Sequence, residues 1–379
     1  MIYLDNGATT FPKPQSVIRK SNEALRYFGA NPGRGGHKMA IKASELIYNT
    51  RVKVAEFFNI PNPSNVVFTL NCTASLNIVI KGLCKSGDHI IISSLEHNAV
   101  LRPVEKLRNI GVSYSVAEVS ETDDNETLSN FRDCIRENTR LAVFTCASNV
   151  FGTRVPFERV SALCHQYGIR TCVDAAQGAG IIPIDLSDSS VDYLCAAGHK
   201  GLYGPMGTGI LIVNCDEIPD SLIEGGTGSN SDNYSQPDFL PDRFESGTLN
   251  FAGFVGLGGG LDFVRNMGIA NIYNREMREI QRIYNSLSNM NKVVLYTDYP
   301  EIKHFTPVIS FNIRNINCEE IAEVLSSRYN IAVRAGLHCA PLAHKNKGTL
   351  EIGGTVRAVP SAFTTKNDID SFIYAVNKL

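Results

Sequence analysis

The chain has 379 residues, of which 43% are apolar, and its formal net charge at pH 7 is −2. Single hydrophobic cores stop growing near ~250–300 residues, so we expect two closely packed domains. The nearly neutral charge, without basic runs that contain aromatic residues, argues against a nucleic-acid partner.

The sequence also argues against a membrane protein or a secreted protein. No apolar run approaches the ~20 residues of a membrane span, and the stretch MIYLDNGATT has neither the basic nor the apolar part of a signal peptide. We therefore expect a cytoplasmic protein that does not enter a membrane. Its ten cysteines are scattered without a metal-binding spacing, so we expect free thiols and no metal site. Most of them, such as Cys146, Cys172 and Cys195, lie in apolar runs typical of a buried core.

The first part of the chain contains two predicted helices and a loop rich in glycine. Residues 1–14 form an extended lead, and helices are predicted at 16–27 and 39–58. The loop between the helices, GANPGRGGHKMA, carries Arg34. The loop is consistent with either a solvated turn or part of a binding site.

A candidate anion site follows the strand predicted at 65–69. The polar turn Leu-Asn-Cys-Thr-Ala-Ser leads into the apolar run 76–83, which is typical of a helix start. The amino terminus of a helix offers free N–H groups and a positive dipole end, which suits phosphate. Thr73 and the amide of Ala74 are the candidates, and ordinary N-capping by Asn71 or Thr73 is the alternative.

Strands and helices then alternate regularly. Strands are predicted at 89–94, 112–119 and 140–145, and helices at 127–136 and 157–167. This alternation predicts an α/β fold with a mainly parallel sheet and helices on both faces.

The most specific pattern is the stretch 173–209, VDAAQGAGIIPIDLSDSSVDYLCAAGHKGLYGPMGTG. A strand at 169–173 ends in Asp174, and a strand at 191–197 ends in Gly-His-Lys200. Open α/β sheets bind ligands at the carboxyl ends of their strands. Pyridoxal phosphate needs a lysine for its Schiff base and an acid for its pyridine nitrogen, which Lys200 and Asp174 would supply. The alternative is a surface lysine and an aspartate that merely ends a strand.

A second reactive pattern lies near the end of the chain. Residues 214–247 are irregular, which in a compact chain usually indicates function, and then a long helical segment is predicted at 251–287. Strands at 308–313 and 332–335 and helices at 318–329 and from Asn367 follow. After the last strand, the loop Arg-Ala-Gly-Leu-His-Cys-Ala-Pro presents Cys339 beside a histidine, where a thiol can be exposed and ionised. The alternative is one more buried thiol.

The segments VDAAQ, AAGHKGLYGP, RAGLHCA and GGTVRA resemble the class V aminotransferase family, specifically its cysteine desulfurases with a short cysteine loop (group II, selenocysteine lyase-like). The resemblance covers nearly the whole chain. It implies fold type I of the pyridoxal-phosphate-dependent transferases, with a large domain around a mainly parallel seven-stranded sheet and a small carboxyl-terminal α+β domain. The expected boundaries are 15–250 for the large domain, and 1–14 with 260–379 for the small domain that carries the Cys339 loop.

The resemblance also implies roles for individual residues. Lys200 binds pyridoxal phosphate and acts as the base, Asp174 holds the pyridine nitrogen, and His97 stacks on the ring and handles protons. The other implied cofactor contacts are Gln177, Asn149, Thr73, Ala74, His199 and, from the neighbouring subunit, Thr248. The implied substrate contacts are Arg357, Arg34 and Asn149, with the bidentate fork of Arg357 on the carboxylate. A site shared between subunits implies a homodimer.

The implied activity is that of a cysteine desulfurase, in which L-cysteine yields L-alanine and Cys339 retains the sulfur as a persulfide. The alternatives are a selenocysteine lyase acting on L-selenocysteine, a C–S lyase or an aminotransferase on the same scaffold, or an inactive relative that serves as a sulfur-carrier partner. The sequence does not identify a sulfur-acceptor protein. It departs from the family pattern at Ala197, Gly201 and Gly33, and Ala197 leaves the phosphate site one hydroxyl short.

Overall fold

The computed structural model describes residues 1–33 and 35–379. The helices are α1 (Gln15–Tyr27), α2 (Lys38–Phe57), α3 (Cys72–Leu83), α4 (Asn98–Leu107), α5 (Asp124–Asp133), α6 (Phe157–Gln166), α7 (Phe251–Met267), α8 (Ile269–Ser288), α9 (Cys318–Tyr329), α10 (Pro341–Asn346) and α11 (Lys366–Lys378). The strands are β1 (Ile2–Tyr3), β2 (Val66–Thr69), β3 (His89–Ser93), β4 (Ser113–Ala117), β5 (Thr139–Thr145), β6 (Arg170–Asp174), β7 (Tyr193–Ala197), β8 (Gly209–Val213), β9 (Val293–Leu295), β10 (Ile309–Ile313), β11 (Ile331–Ala332), β12 (Arg334–Gly336) and β13 (Thr355–Ala358). Among the described residues, no helix has both the length and the apolar character needed to cross a membrane.

The larger sheet has seven strands in the order β2-β8-β7-β6-β5-β3-β4. Strand β8 runs antiparallel to β2 and β7, and the other neighbouring pairs are parallel. Strands β2, β3, β7 and β8 are buried along their whole length, which explains their largely apolar sequences, because both faces of such a sheet are covered. The predicted α/β class and the mainly parallel sheet are confirmed.

Two apolar layers cover the faces of this sheet. Along β3, Ile90 and Ile92 belong to one layer and Ile91 to the other, as the alternation of side chains in a strand requires. On the Ile91 side, the rings of Phe68 and Phe254 stack with their centroids 4.2 Å apart, which packs α7 against β2. The two layers hold the parallel strands in fixed register, so their carboxyl ends form one edge.

The second region contains a four-stranded antiparallel sheet in the order β12-β13-β10-β9, and the parallel pair β1–β11. Leu4 lies in its core, where the rings of Phe311 and Phe372 meet with centroids 5.9 Å apart. Because β1 pairs with β11, the amino-terminal lead packs against this region. That contact supports the assignment of the first residues of the lead to the small domain, and the domain boundaries themselves remain a proposal.

Several elements differ from the sequence expectation. The helix predicted at 251–287 is two helices, α7 and α8, because Gly268 between them has φ of +80°, a conformation that glycine adopts readily and helices exclude. The strand predicted at 332–335 is divided between β11 and β12. Strand β9 and helix α10 were not predicted, since three and six residues are too few to show a hydrophobic period.

Candidate active site

A cavity of about 190 Å³ opens at the carboxyl ends of the parallel strands, where the sequence predicts ligand binding. The residues that follow β3, β5, β6 and β7 reach it together because these strands are neighbours in the sheet. The predicted site residues that line it are Thr73, His97, Asn149, Asp174, Gln177, His199 and Lys200.

Lys200 and Asp174 are the central charged pair of this cavity. Asp174 ends β6, Lys200 follows β7, and the two strands pair in parallel. Asp174 is 4% exposed, and its Oδ1 accepts hydrogen bonds from the Ala176 amide at 2.9 Å and from the Cys72 thiol at 3.4 Å. Burial lowers the pKa of Lys200, and the charge of Asp174 acts in the opposite direction. The burial therefore favours the neutral, nucleophilic amine.

Two histidines of the cavity are held in their neutral forms. His97 caps α4, and its Nδ1 accepts the amide hydrogen of Ala99 at 3.0 Å, so the ring proton lies on Nε2. Burial lowers the pKa of His97. Burial, helped by the charges of Lys200 and Lys13, lowers the pKa of His199 to about 4. Nδ1 of His199 is buried and has no hydrogen-bond partner among the described residues.

At the start of α3, N-capping accounts for one of the two predicted phosphate contacts. Oδ1 of Asn71 accepts the amide hydrogen of Ala74 at 2.9 Å, so this amide is not free to bind an anion. Thr73, by contrast, lines the cavity beside Ala197. Of the two predicted contacts, the side chain of Thr73 is the one that the structure leaves available.

Two amide side chains connect the cavity to the rest of the chain. Nδ2 of Asn149 donates to the His338 carbonyl at 2.8 Å, and Nε2 of Gln177 donates to the Gly7 carbonyl at 3.0 Å. Each amide nitrogen carries two hydrogens. Both side chains thus keep the capacity to donate to an oxygen in the cavity.

Cys339 lies in a tight turn beside this cavity. The amide of Asn98, next to His97 at the start of α4, donates to the Cys339 carbonyl at 2.7 Å, and the Ala340 amide closes the turn by donating to the Leu337 carbonyl at 2.9 Å. All ten cysteines belong to the described residues, and Cys339 is the exposed one. The alternative of a buried thiol is therefore wrong for Cys339.

The backbone of this turn is strained. Its two central residues, His338 and Cys339, have φ of +50° and +59°. Turns with two positive φ angles usually carry glycine or asparagine there, because the left-handed conformation costs roughly 1–2 kcal/mol for other residues. The surrounding hydrogen bonds must offset this cost, and strain of this kind concentrates at functional sites.

Arg357, the predicted carboxylate clamp, already has partners within the chain. It is 1% exposed in β13. Its Nη2 donates to Oδ1 of Asp5 at 2.8 Å, and its Nη1 donates to the Asn149 carbonyl at 2.7 Å. Burial lowers the pKa of Arg357, and Asp5 acts to raise it. Nε is buried without a partner among the described residues, so the guanidinium can donate to one more acceptor.

Thr248, one of the two remaining predicted residues, is not among those that line the cavity. Thr248 is exposed in the irregular segment, and its hydroxyl accepts a hydrogen bond from Nδ2 of Asn31 at 3.3 Å. A contact of Thr248 with the cofactor of a neighbouring subunit remains a prediction. Arg34 lies outside the described residues.

Comparison with known proteins identifies the family. The family model named aminotransferase class-V matches residues 2–372. The chain belongs to this family. A probable cysteine desulfurase of Methanothermobacter thermautotrophicus is 34% identical over 374 residues, which span 97% of this chain and 92% of that protein. A cysteine desulfurase of Escherichia coli O8 is 32% identical over 402 aligned positions, which span 100% of this chain and 93% of that protein.

Solved structures agree with the family assignment. An apo structure of a cysteine desulfurase from Thermococcus onnurineus NA1 matches with a TM-score of 0.89 at 28% identity, over 100% of this chain and 94% of that one. The cysteine desulfurase CsdA (S-sulfonic acid) from Escherichia coli matches with a TM-score of 0.87 at 25% identity, over 99% of this chain and 94% of that one. The predicted fold class is confirmed by both.

Class V aminotransferases use pyridoxal phosphate, and the cavity residues fit this group. A lysine whose burial favours the neutral amine, Lys200, lies in the cavity with the buried carboxylate of Asp174. The partnerless Nδ1 of His199 is a polar atom that a ligand can satisfy. Within the described residues, no group of three or more His, Cys, Asp or Glu side chains is placed to hold a metal ion.

Three residues near the site were not predicted from the sequence. Asp5 pairs with Arg357, and Cys72 donates to Asp174. Glu96 is fully buried, and its Oε1 accepts hydrogen bonds from the Thr145 amide at 2.8 Å and from a serine hydroxyl. Burial raises the pKa of Glu96 to about 8. The available signal was the position of Glu96 at a strand end beside a predicted site histidine.

Proposed function

We propose that the protein is a pyridoxal-phosphate-dependent cysteine desulfurase, which converts L-cysteine to L-alanine and keeps the sulfur on Cys339 as a persulfide. The observation that carries this proposal is the placement of the exposed thiol. Its turn is hydrogen-bonded to Asn149, which lines the lysine cavity, and to Asn98, which follows the lining residue His97. An aminotransferase or a C–S lyase needs no nucleophilic thiol there. The names of the relatives point the same way.

The cofactor would be held by residues of the cavity. Lys200 and Asp174 would engage its aldehyde carbon and its ring nitrogen, and Thr73 and His199 supply polar atoms for its remaining groups. When bound, pyridoxal phosphate supplies an electron sink for the Cα atom of an amino acid. Asp174 would favour a protonated ring nitrogen, because a buried carboxylate stabilises a neighbouring positive charge.

Lys200 and His97 are the groups that move protons. Lys200 takes the proton from Cα of the substrate, since burial favours the neutral amine that can accept it. His97 is neutral with its proton on Nε2, so it can stack on a ring and donate a hydrogen bond without adding a charge. Arg357 binds the substrate carboxylate in addition to Asp5, donating to it through the N–H groups that Asp5 and Asn149 leave free.

Cys339 carries the sulfur transfer. Its thiolate forms a bond to the sulfur of the substrate while the Cβ–S bond of the substrate breaks. The carbon fragment keeps the electron pair of the broken bond, takes a proton and leaves as alanine. Cys339 then holds the sulfur as a persulfide until a thiol or an acceptor protein removes it.

We also propose that the enzyme is a homodimer with shared active sites. Thr248 is exposed and does not line the cavity of its own chain, which suits a contact across a subunit interface. A cytoplasmic setting remains a prediction, and L-selenocysteine remains the alternative substrate.

Mass spectrometry of the protein after addition of L-cysteine tests the proposed function. We expect the peptide that contains Cys339 to gain the mass of one sulfur atom, with the other nine cysteines unchanged and alanine released in equal amount. A reductant should reverse the gain and release sulfide. Alanine or pyruvate formed without sulfur on Cys339 would contradict the proposal and favour a lyase or an aminotransferase.

A further inference from the structure

A pair of buried histidines lies behind the Cys339 turn. His338, inside the turn, is 4% exposed, and His344, on α10, is fully buried. Their rings stack with centroids 5.7 Å apart and an interplanar angle of 16°. Phe151 packs edge-on against His344 at 5.6 Å. The pair is therefore enclosed by protein, and no step of the proposed reaction uses it.

The hydrogen bonds of the pair run in one direction. The Thr349 hydroxyl donates to the His344 carbonyl at 3.3 Å, so its oxygen is free to accept the hydrogen of His344 Nδ1 at 2.7 Å. In a neutral ring, Nε2 of His344 is then an acceptor, which assigns the hydrogen of its 3.5 Å contact with His338 Nδ1 to His338. Thr349 thus determines the tautomer of His344, and His344 orients His338.

Burial keeps both rings neutral, as this series of hydrogen bonds requires. It lowers the pKa of His338 to about 2 and that of His344 to about 4, and Arg357 and Arg334 add to the effect at His338. A charged His344 would present hydrogens on both nitrogens and would lose its capacity to accept from His338.

His338 has a further connection, because it shares the strained turn with Cys339. Both residues have positive φ, and their carbonyls accept hydrogen bonds from Asn149, which lines the cavity, and from Asn98, which follows the lining residue His97. Those bonds hold the backbone from the cavity side. The side chain of His338 stacks on His344 and thereby connects the turn to α10.

We propose that the relay Thr349–His344–His338 positions the Cys339 turn, so that the thiol points at the lysine cavity, and that His344 and Thr349 are positioning residues for sulfur transfer. The proposal rests on the proposed function of Cys339 as the sulfur-accepting nucleophile. It assigns a role to a histidine and a threonine that touch neither cofactor nor substrate.

The sharpest test is Thr349→Val, which keeps the shape of the buried side chain and removes the oxygen that determines the tautomer. We expect kcat for alanine formation to fall roughly 10- to 100-fold, as misplacement of a reacting group does. KM for L-cysteine and the cofactor absorbance should not change. Thr349→Ser retains the hydroxyl and should restore kcat. Thr50→Val, in α2, removes another buried hydroxyl that bonds to one carbonyl and should leave kcat unchanged.

A second measurement does not depend on turnover. In the resting protein, the rate at which iodoacetamide modifies Cys339, followed by peptide mass spectrometry, should change several-fold in Thr349→Val and return in Thr349→Ser. The proposal requires both changes. A wild-type kcat, or a wild-type alkylation rate, in folded Thr349→Val overturns it.

Two outcomes keep this proposal separable from the proposed function. If wild-type protein forms no alanine from L-cysteine, the function fails, and the alkylation rates still report whether the relay holds the turn. If Thr349→Val does not fold, His344→Phe keeps the stacking against His338 and Phe151 but removes both hydrogen bonds. We expect it to show the same loss of kcat and the same change in alkylation, and wild-type values would overturn the proposal.

Discussion

The lysine cavity and the Cys339 turn obtain reactive groups by different means. The cavity residues follow neighbouring parallel strands, and burial lowers the pKa values of Lys200, His97 and His199. Cys339 is exposed, and its turn is held in a left-handed conformation by hydrogen bonds from Asn98 and Asn149. Desolvation therefore sets the chemistry of the cavity, whereas backbone geometry sets that of the turn. Changes in the cavity should alter cofactor binding and protonation, and changes in the turn should alter turnover alone.

The largest effect is expected from Lys200→Ala. The variant should lose the visible absorbance of bound pyridoxal phosphate, near ~410–425 nm in enzymes of this type, together with all alanine production. Both losses are expected because Lys200 supplies the amine of the cavity. Lys85→Ala, at an exposed lysine, is the control and should behave as wild type. Turnover that persists in purified Lys200→Ala would refute the assignment.

Cys339→Ser separates the two regions most cleanly. The variant should retain the cofactor absorbance and its change on addition of L-cysteine, yet form neither alanine nor sulfide, since the hydroxyl does not replace the thiolate as nucleophile. Absorbance spectra and alanine assays on one sample check this. Cys215→Ser, a half-buried thiol away from the cavity, should keep full activity. Wild-type rates in Cys339→Ser would mean that the reaction is an elimination.

Arg357→Lys tests whether Arg357 binds the substrate carboxylate. Lysine cannot maintain the contacts to Asp5 and Asn149 and also bind a carboxylate, because it lacks the guanidinium fork. Losing one hydrogen bond to a charged group costs about 1.5–3 kcal/mol, so kcat/KM for L-cysteine should fall roughly 10- to 100-fold, mainly through KM. Steady-state kinetics measure it, with Arg314→Lys on the surface as control. An unchanged KM would place the substrate carboxylate elsewhere.

The last effect concerns stability rather than turnover and belongs to the cavity side. Burial raises the pKa of Glu96 from 4.5 to about 8, so the folded protein binds a proton that the unfolded chain releases. The stability linked to this proton is complete below pH 4.5 and is lost as pH rises toward 8. Each pKa unit corresponds to about 1.4 kcal/mol, so Glu96→Gln should gain up to a few kcal/mol over wild type across this range.

Denaturant unfolding at several pH values measures the difference between the two proteins. Glu105→Gln, at an exposed glutamate, is the control and should follow the wild-type curve. Parallel curves for Glu96→Gln and wild type would show that Glu96 does not bind a proton on folding. The test concerns a buried residue next to the cavity residue His97 and does not involve the Cys339 turn.

The parts of the site that were predicted share one property: each is a short polar segment at the end of an apolar strand. Asp174 and Lys200 follow β6 and β7, and His97 follows β3, so local patterns and the edge rule for parallel sheets place all three in one cavity. The prediction was less accurate at Ala74, where capping by Asn71 uses the amide. The sequence of a helix start is compatible with both N-capping and anion binding, and only the tertiary structure distinguishes the two.

By itself, the sequence determined the α/β alternation, the strand ends that carry Asp174 and Lys200, and the candidate nucleophile Cys339 in its glycine-containing loop. These follow from hydrophobic period and residue chemistry, which act over a few residues. Only the tertiary structure decided that Asp5 meets Arg357, 352 positions away, and that Asn98 binds the Cys339 carbonyl. It also decided that Thr349 and His344 lie behind the turn. Such contacts depend on how distant elements pack against one another, and no local pattern in the sequence encodes that packing.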